Sequence, residues 1–220
     1  MRRWARAVAT VPLVAALGCA SAVALEEGAA GNTVEDVTRA FSVKGAASGA
    51  DARAAMTERL LRSRKAVPDD PSIHELLGLV AMRGPDFAAD AEVHFRKALE
   101  LRPGSAYTWA NIAAMQYRRG DTGSSFETAL VRAARLGPYE PEVQATVANY
   151  GLAVWPDAGP ELRSVVEEMV RAGMRRNAPE TLQIAQRRGR LAIACRHLEG
   201  TPRQIDSKWS QLCQSMEATS

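Results

Sequence analysis

A recurrence at intervals of 35 residues constrains the fold of this chain more than any other feature. The recurring positions are apolar, small or proline, and they form the sets Met56, Ala91 and Phe126; Leu60, Phe95 and Leu130; Ser63, Ala98 and Ala133; Pro68, Pro103 and Pro138; Leu77, Ile112 and Val147; and Gly78, Ala113 and Ala148. A fixed period of about 20–50 residues is typical of stacked supersecondary units, because such a unit cannot bury its apolar face alone. The recurrence therefore predicts a solenoid.

Two stretches of helical periodicity lie within each period. Residues 71–82 carry apolar side chains at helical spacing, residues 83–86 interrupt it, and residues 88–101 resume it. Pro103 and Gly104 end the second stretch, because proline cannot continue a helix and glycine accepts the turn geometry. The pattern predicts an all-α fold of antiparallel helix pairs. The next period repeats the plan over residues 106–118, 120–121 and 124–135.

This helix-pair plan, with small residues where the helices cross and proline at the unit boundary, resembles the tetratricopeptide (TPR) repeat. The residues that carry the resemblance are Leu77, Gly78, Ala91, Phe95, Ala98 and Pro103, then Trp109, Ile112, Ala113, Leu130, Ala133 and Pro138. The usual period of that family is about 34 residues, so the period in this chain is longer. The resemblance implies a right-handed superhelical solenoid that ends in a C-terminal helical cap.

In TPR proteins the first helix of each pair lines a concave groove. The resemblance therefore implies a partner-binding groove formed by Glu75, Leu79, Met82, Arg83, Tyr107, Asn111, Ala114, Tyr117, Arg118, Asn149 and Leu152. Tyrosine and arginine give such a surface contact area, hydrogen bonds and charge. In the alternative interpretation, Tyr107 and Tyr117 pack against neighbouring helices. Because these helices contain no lysine, the resemblance disfavours a C-terminal carboxylate as the ligand.

The N-terminal segment has the pattern of a secretory signal peptide. Arginines at positions 2, 3 and 6 precede an uncharged stretch over residues 7–25, and Ala22-Val23-Ala24 offers a small-residue cleavage site. We therefore predict a signal peptide over residues 1–24 and a periplasmic location. Two alternatives stay open, namely a retained membrane anchor and lipid attachment at Cys19, which follows Leu17-Gly18 as in lipoprotein processing sites.

The remaining boundaries follow from composition and spacing. Residues 25–48 are rich in glycine, alanine and small polar residues, which predicts a flexible tether. We expect TPR-like repeats over residues 49–155, and an irregular last helix pair, capping helices and a tail over residues 156–220. Asn177 and Pro179 are expected to separate two helices of this cap. Terminal units of solenoids are irregular because they must cover the last apolar face.

A second, narrower resemblance lies in the C-terminal half. Residues 133–143, residues 151–155 and the helix that contains residues 162–171 are similar to small TPR proteins found with bacterial exopolysaccharide synthesis and exosortase systems. The most specific piece is the Leu-Gly-Pro-Tyr-Glu-Pro segment that starts at Leu136. This resemblance implies a non-catalytic scaffold that supports polysaccharide synthesis or export by binding envelope proteins. The alternatives are a general envelope adaptor in secretion or pilus assembly, and a glycan-binding protein or enzyme.

Motifs for catalysis and for cofactor binding are absent from the sequence. No phosphate-binding glycine loop or nucleophile elbow occurs, and the histidines have no metal-ligand spacing. The formal net charge of +3 is too balanced for a nucleic-acid surface. The dense arginine run over residues 187–190 is interpreted as the solvated face of a helix. We therefore expect a protein without catalytic residues, cofactor, metal or nucleic-acid partner.

The cysteine count predicts a disulfide between Cys195 and Cys213. If Cys19 leaves with the signal peptide or carries a lipid, these two cysteines remain, and an oxidising periplasm favours their pairing. Gly200 and Pro202 lie between them and allow the chain to fold back. A pair of buried free thiols is the alternative.

Overall fold

The computed structural model describes residues 28–40, 49–85, 87–198 and 206–217. These residues form helices joined by turns, and the described ranges contain no strand. The helices pack in neighbouring pairs, so the predicted all-α class is confirmed. The chain divides into two compact units, Met1–Leu101 and Arg102–Ser220.

The first unit contains the helices α1 (28–40), α2 (Ala50–Ala66), α3 (Pro71–Ala81) and α4 (Phe87–Leu101). α3 packs mainly against α4, and α2 packs against α3. The Asp70 carboxylate accepts a hydrogen bond of 2.8 Å from the Ser72 amide and thereby caps α3. Pro71 occupies the first position of this helix, where no amide donor is needed. Local sequence thus explains where α3 begins.

The close approach of α3 to α4 depends on Gly78. A Cβ atom at this position would lie 2.5 Å from the ring of Phe95, and this ring is fully buried. Ala113 and Ala148, which occupy the same position of the sequence period in later helices, are also buried. The small residue that recurs in the sequence is therefore a packing requirement in the first unit.

The second unit contains α5 (Ala106–Arg119), α6 (Ser124–Leu136), α7 (Pro141–Ala153), α8 (Pro160–Arg187), α9 (Leu191–Cys195) and α10 (Ser207–Glu217). α5 packs mainly against α6 and α7 mainly against α8, whereas α9 packs on α8 and contacts α10. Their shared core includes the fully buried side chains of Phe126, Leu130 and Leu162. Gly151 lets α7 approach α8, because a Cβ atom there would lie 2.1 Å from a methyl group of Val166.

A break at Asn177 divides α8 into two segments. Asn177 has φ −149° and ψ 76°, which are not helical values. Its carbonyl accepts a hydrogen bond from the Thr181 hydroxyl (3.1 Å), and its side-chain amide donates to Glu180 (2.9 Å). Pro179 lacks an amide donor and cannot continue the first segment. The predicted separation of two helices at Asn177 and Pro179 is confirmed.

The flexible tether expected over residues 25–48 is wrong for residues 28–40, which form α1. Val37 is 1% exposed and belongs to the apolar core of the first unit with Leu60 and Ile73. Apolar side chains at helical spacing give α1 one buried face, although its overall composition is that of a linker. Residues 1–27 and 41–48, which include the predicted signal peptide and Cys19, lie outside the described residues. Among the described helices, none has the length and apolar content needed to cross a membrane.

A disulfide joins the last residue of α9 to the middle of α10. The sulfur atoms of Cys195 and Cys213 lie at bonding distance, and their Cα atoms are 5.4 Å apart. Both side chains are buried, and they share the core of the second unit with Trp209. The structure thus brings the predicted pair together at disulfide distance.

Candidate partner-binding site

Four half-buried side chains meet in the second unit, and we name them the tyrosine–arginine cluster. They are Tyr117 near the end of α5, Asn149 and Tyr150 near the end of α7, and Arg188 directly after α8. The ring centroids of Tyr117 and Tyr150 lie 4.9 Å apart, and the ring planes are inclined by 50°. This is a favourable tilted contact between aromatic rings.

Arg188 holds the cluster together. Its Nε donates a hydrogen bond to Oδ1 of Asn149 (3.0 Å), and its Nη1 donates to the Tyr117 hydroxyl (3.3 Å). The central carbon of the guanidinium group lies 5.4 Å from the ring centroid of Tyr117 and 5.9 Å from that of Tyr150. At these distances a guanidinium group is attracted by the ring faces. One side chain therefore links the ends of α5, α7 and α8.

The position of Arg188 follows from the way α8 ends. Gly189 has φ 65°, in the left-handed region that glycine adopts at low cost. Its amide donates to the carbonyl of Gln186 (3.0 Å), and the amide of Arg190 donates to the carbonyl of Ala185 (2.8 Å). Such a glycine is a common helix terminator. The interpretation of residues 187–190 as a solvated helix face is therefore wrong for Arg188, which is half-buried at the turn.

The Tyr150 hydroxyl is a polar group of the cluster that remains available to a bound molecule. Burial raises the pKa of Tyr150, while the positive charges of Arg188 and Arg118 act in the opposite direction. The group is therefore a neutral hydroxyl at neutral pH. It makes no hydrogen bond to any residue that the structure describes. Tyr150 can thus donate a hydrogen bond to a bound molecule beside the guanidinium of Arg188.

Two of the groove residues predicted in the second unit, Tyr117 and Asn149, are brought together in this cluster. Tyr117 also packs against Phe126, with ring centroids 6.3 Å apart, as the packing alternative predicts for it. Arg118 is exposed at the next position of α5. Tyr107 lies near the opposite end of α5, where its hydroxyl donates to Glu140. The half-buried Asn111 lies between the two ends of this helix.

The prediction that Leu152 faces a groove is wrong. Leu152 is 0% exposed and belongs to the core of the second unit. It continues the buried stripe of α7 that includes Val143, Val147 and Ala148, so its side chain cannot contact a partner. Ala114, which was expected in the groove as well, is also buried.

The groove residues predicted in the first unit differ widely in exposure. Glu75 and Leu79 are half-buried, and Arg83 is exposed just after α3. Partial desolvation of its guanidinium lowers the pKa of Arg83, although the group remains charged. Met82 is 9% exposed, so the prediction that it lines a groove is wrong for this side chain.

A histidine pair in the first unit was not expected from the sequence. The Nδ1 atoms of His74 in α3 and His94 in α4 lie 3.3 Å apart, so one ring donates and the other accepts a hydrogen bond. Burial lowers the pKa of both imidazoles, and a charge on His74 would lower that of His94 further. Within the described ranges, no three or more histidine, cysteine or acidic side chains are grouped so that they could hold a metal ion.

Sequence reasoning missed Tyr150 and Arg188, which complete the cluster. Tyr150 lies one position after Asn149, which was predicted. The helical period alone does not show which neighbour of Asn149 is also accessible on that side of α7. For Arg188 the available signal is Gly189, because a glycine after a helical stretch indicates a left-handed cap that turns the preceding side chain. No protein family, curated protein or solved structure matches the chain.

Proposed function

We propose that this chain is a TPR-like right-handed solenoid and a non-catalytic periplasmic scaffold that supports envelope polysaccharide synthesis or export by binding other proteins. The recurrence of 35 residues and the pairing of α3 with α4 and of α5 with α6 support the repeat architecture. The pattern of residues 1–24 supports a location outside the cytoplasm. The Cys195–Cys213 disulfide adds support, because such bonds persist in oxidising compartments.

The tyrosine–arginine cluster is the observation that carries the binding role. It combines two tyrosines and an arginine, which are residue types enriched where protein interfaces are strongest. Its side chains are already ordered by Arg188, so a partner would meet a preorganised surface and lose little side-chain entropy on binding. The Tyr150 hydroxyl supplies a hydrogen-bond donor that none of the described residues uses.

Affinity capture from detergent-solubilised membranes of the encoding bacterium tests this proposal. The variant Tyr150→Phe removes one hydroxyl and leaves the ring, so we expect capture of the principal partner to weaken about fivefold, the effect of one hydrogen bond. Arg188→Lys keeps the charge but replaces the planar guanidinium, which bonds Asn149 and Tyr117 through two nitrogen atoms, with a single ammonium group, and we expect a larger loss. A polysaccharide synthesis or export protein should be the main captured species.

Tyr139→Phe is the matched control. Tyr139 is 89% exposed in the turn between α6 and α7, so removal of its hydroxyl should leave both capture and folding unchanged. If Tyr150→Phe and Arg188→Lys both captured the partner as well as the wild-type chain does, at unchanged melting temperature, the assignment of the cluster would be contradicted. Recovery of a secretin or a pilin-like protein instead would favour the general envelope adaptor.

A further inference from the structure

Positive charge is concentrated in residues 160–198. This segment contains eight arginines, four glutamates and no lysine or aspartate, whereas the whole chain has a formal net charge of only +3. The rest of the chain is therefore close to balanced. Arginine, unlike lysine, presents a planar fork of donors that fits an oxyanion.

Part of this charge lies on one face of α8 and on the turn after α9. Glu167, Arg171 and Arg175 follow one another at four-residue spacing, so their side chains share a face of the helix. Nη2 of Arg196 donates to Oε1 of Glu167 at 2.6 Å, which places the end of α9 beside this face. The disulfide at Cys195 fixes the chain directly before Arg196. We call Arg171, Arg175 and Arg196 the arginine patch.

All three guanidinium groups of the arginine patch act on the same neighbouring side chain, His197. Burial lowers the pKa of His197 most, the positive charges of all three arginines lower it further, and Glu167 acts in the opposite direction. The imidazole is therefore neutral at pH 7 and adds no charge. Glu167 is the carboxylate that opposes them, and one carboxylate cannot balance three permanent positive charges.

Other arginines of the same segment are engaged by the chain. Arg163 lies over the Trp155 ring and donates to a backbone carbonyl, Arg176 donates to Gln144, and Arg188 belongs to the tyrosine–arginine cluster. By contrast, Arg171 and Arg175 are exposed and form no hydrogen bond or ion pair with any described residue. Two neighbouring guanidinium forks are thus left for a ligand.

We infer that the arginine patch binds two carboxylates of an acidic peptide segment in the partner protein, an inference that rests on the proposed function. The bond from Arg196 to Glu167 is a carboxylate contact already present at this place. Guanidinium groups bind carboxylates through parallel hydrogen bonds. Arg171 and Arg175 are separated by about 6 Å along the helix axis, the same spacing as two glutamates four residues apart on a partner helix.

Fluorescence anisotropy with a defined peptide tests this inference. The probe is a labelled alanine-based helical peptide with glutamates spaced four residues apart, and the control peptide carries glutamines at the same places. We expect the full chain to bind the glutamate peptide, with affinity that falls as salt is raised. Arg171→Gln and Arg175→Gln should each weaken binding about tenfold, because each removes a hydrogen bond to a charged group. Arg171→Lys should restore part of the affinity.

Arg187→Gln is the matched control, since it removes one exposed charge from the same helix outside the arginine patch. Equal weakening by Arg187→Gln would overturn the inference, as would equal binding of the glutamine peptide. Binding to anionic phospholipid vesicles through Arg171 and Arg175, without binding to the peptide, would also overturn it. If the peptide fails but capture still depends on Tyr150, the patch alone is rejected. If the peptide binds as expected but capture ignores Tyr150, the proposed function of the cluster is rejected.

Discussion

In the first unit, exposed arginines form ion pairs with acidic side chains, as in Arg59 with Asp36 (2.8 Å) and Arg96 with Glu92 (2.6 Å). In the second unit, Arg196 also forms an ion pair with Glu167, but several other arginines lie on aromatic rings, with the guanidinium of Arg132 4.6 Å from the Trp109 ring centroid. Exposed ion pairs contribute little to stability, whereas aromatic and arginine side chains are enriched where protein interfaces are strongest. The helix-pair arrangement that the two units share therefore does not by itself produce contacts between arginines and aromatic rings. The residues that we propose for recognition in the second unit include Arg188, which lies in the region where the sequence period is lost.

The largest expected effect comes from removal of the disulfide, which only the second unit contains among the described residues. The double variant Cys195→Ala/Cys213→Ala should lower the free energy of unfolding by about 3 kcal/mol, since the bond closes a loop with a sequence separation of 18. Urea unfolding measures the change, and hydrogen exchange locates it. We expect faster exchange in α9 and α10 and no change in α3 and α4. An unchanged midpoint, or a loss spread evenly over both units, would contradict this contrast.

An intermediate effect is expected at the two glycines where paired helices approach most closely. Gly78→Ala would press a methyl group onto the Phe95 ring, and Gly151→Ala would press one onto Val166. Each should destabilise its own unit by about 1–3 kcal/mol, the usual cost of overpacking. Gly104→Ala is the control, because a Cβ atom there meets nothing within 4 Å. If all three variants unfolded at the same urea concentration, the close approaches would not limit stability.

The smallest expected effect concerns the histidine pair of the first unit. Burial, followed by the charge of Arg64, lowers the pKa of His74 below 6.5, with the Pro68 carbonyl and Asp70 opposing and Lys97 assisting. Burial also lowers the pKa of His94, and the negative charge of Asp90 acts in the opposite direction. The unfolded chain therefore binds more protons, so stability is complete above about pH 6.5 and falls as the pH drops through the folded pKa values.

Exchange rates of α3 and α4 between pH 7 and pH 5 measure this effect. We expect exchange, corrected for its intrinsic pH dependence, to accelerate at the lower pH in these two helices. The variant His94→Gln should lose most of the pH dependence and about 0.5–1.5 kcal/mol of stability, the usual contribution of one hydrogen bond. A wild-type chain whose first unit is equally stable at both pH values would show that the pair does not titrate in this range.

Helix pairs and their boundaries could be predicted from the sequence because they depend on local signals. Asp70-Pro71 begins α3, and proline with an extended asparagine divides α8. The cysteine pair was predictable because the sequence contains only three cysteines and two of them lie close together near the C-terminus. Helix boundaries can be predicted from residues that are adjacent in the sequence, and the cysteine pair can be predicted from a count of one residue type.

The candidate site could be predicted only in part, because it depends on contacts between distant residues. Tyr117 and Arg188 are 71 positions apart, and no period links them. The prediction for Leu152 is wrong because the sequence does not distinguish an apolar residue that faces a groove from one on the buried face of the same helix. Composition predicts a tether over residues 28–40 because most of these residues are small or polar, whereas the buried face of the helix depends on a few positions such as Val37. The direction in which a side chain points, and how deeply it is buried, can be determined only from the packed structure.

Hydrogen exchange of the chain with and without its captured partner tests the central claim most directly, because it compares both units in one measurement. The claim is that the partner binds at the tyrosine–arginine cluster. We predict slower exchange in the last turns of α5 and α7 and at residues 186–190 when the partner is bound, with α3 and α4 unchanged. Protection confined to the first unit, with free exchange at residues 186–190, would contradict the account.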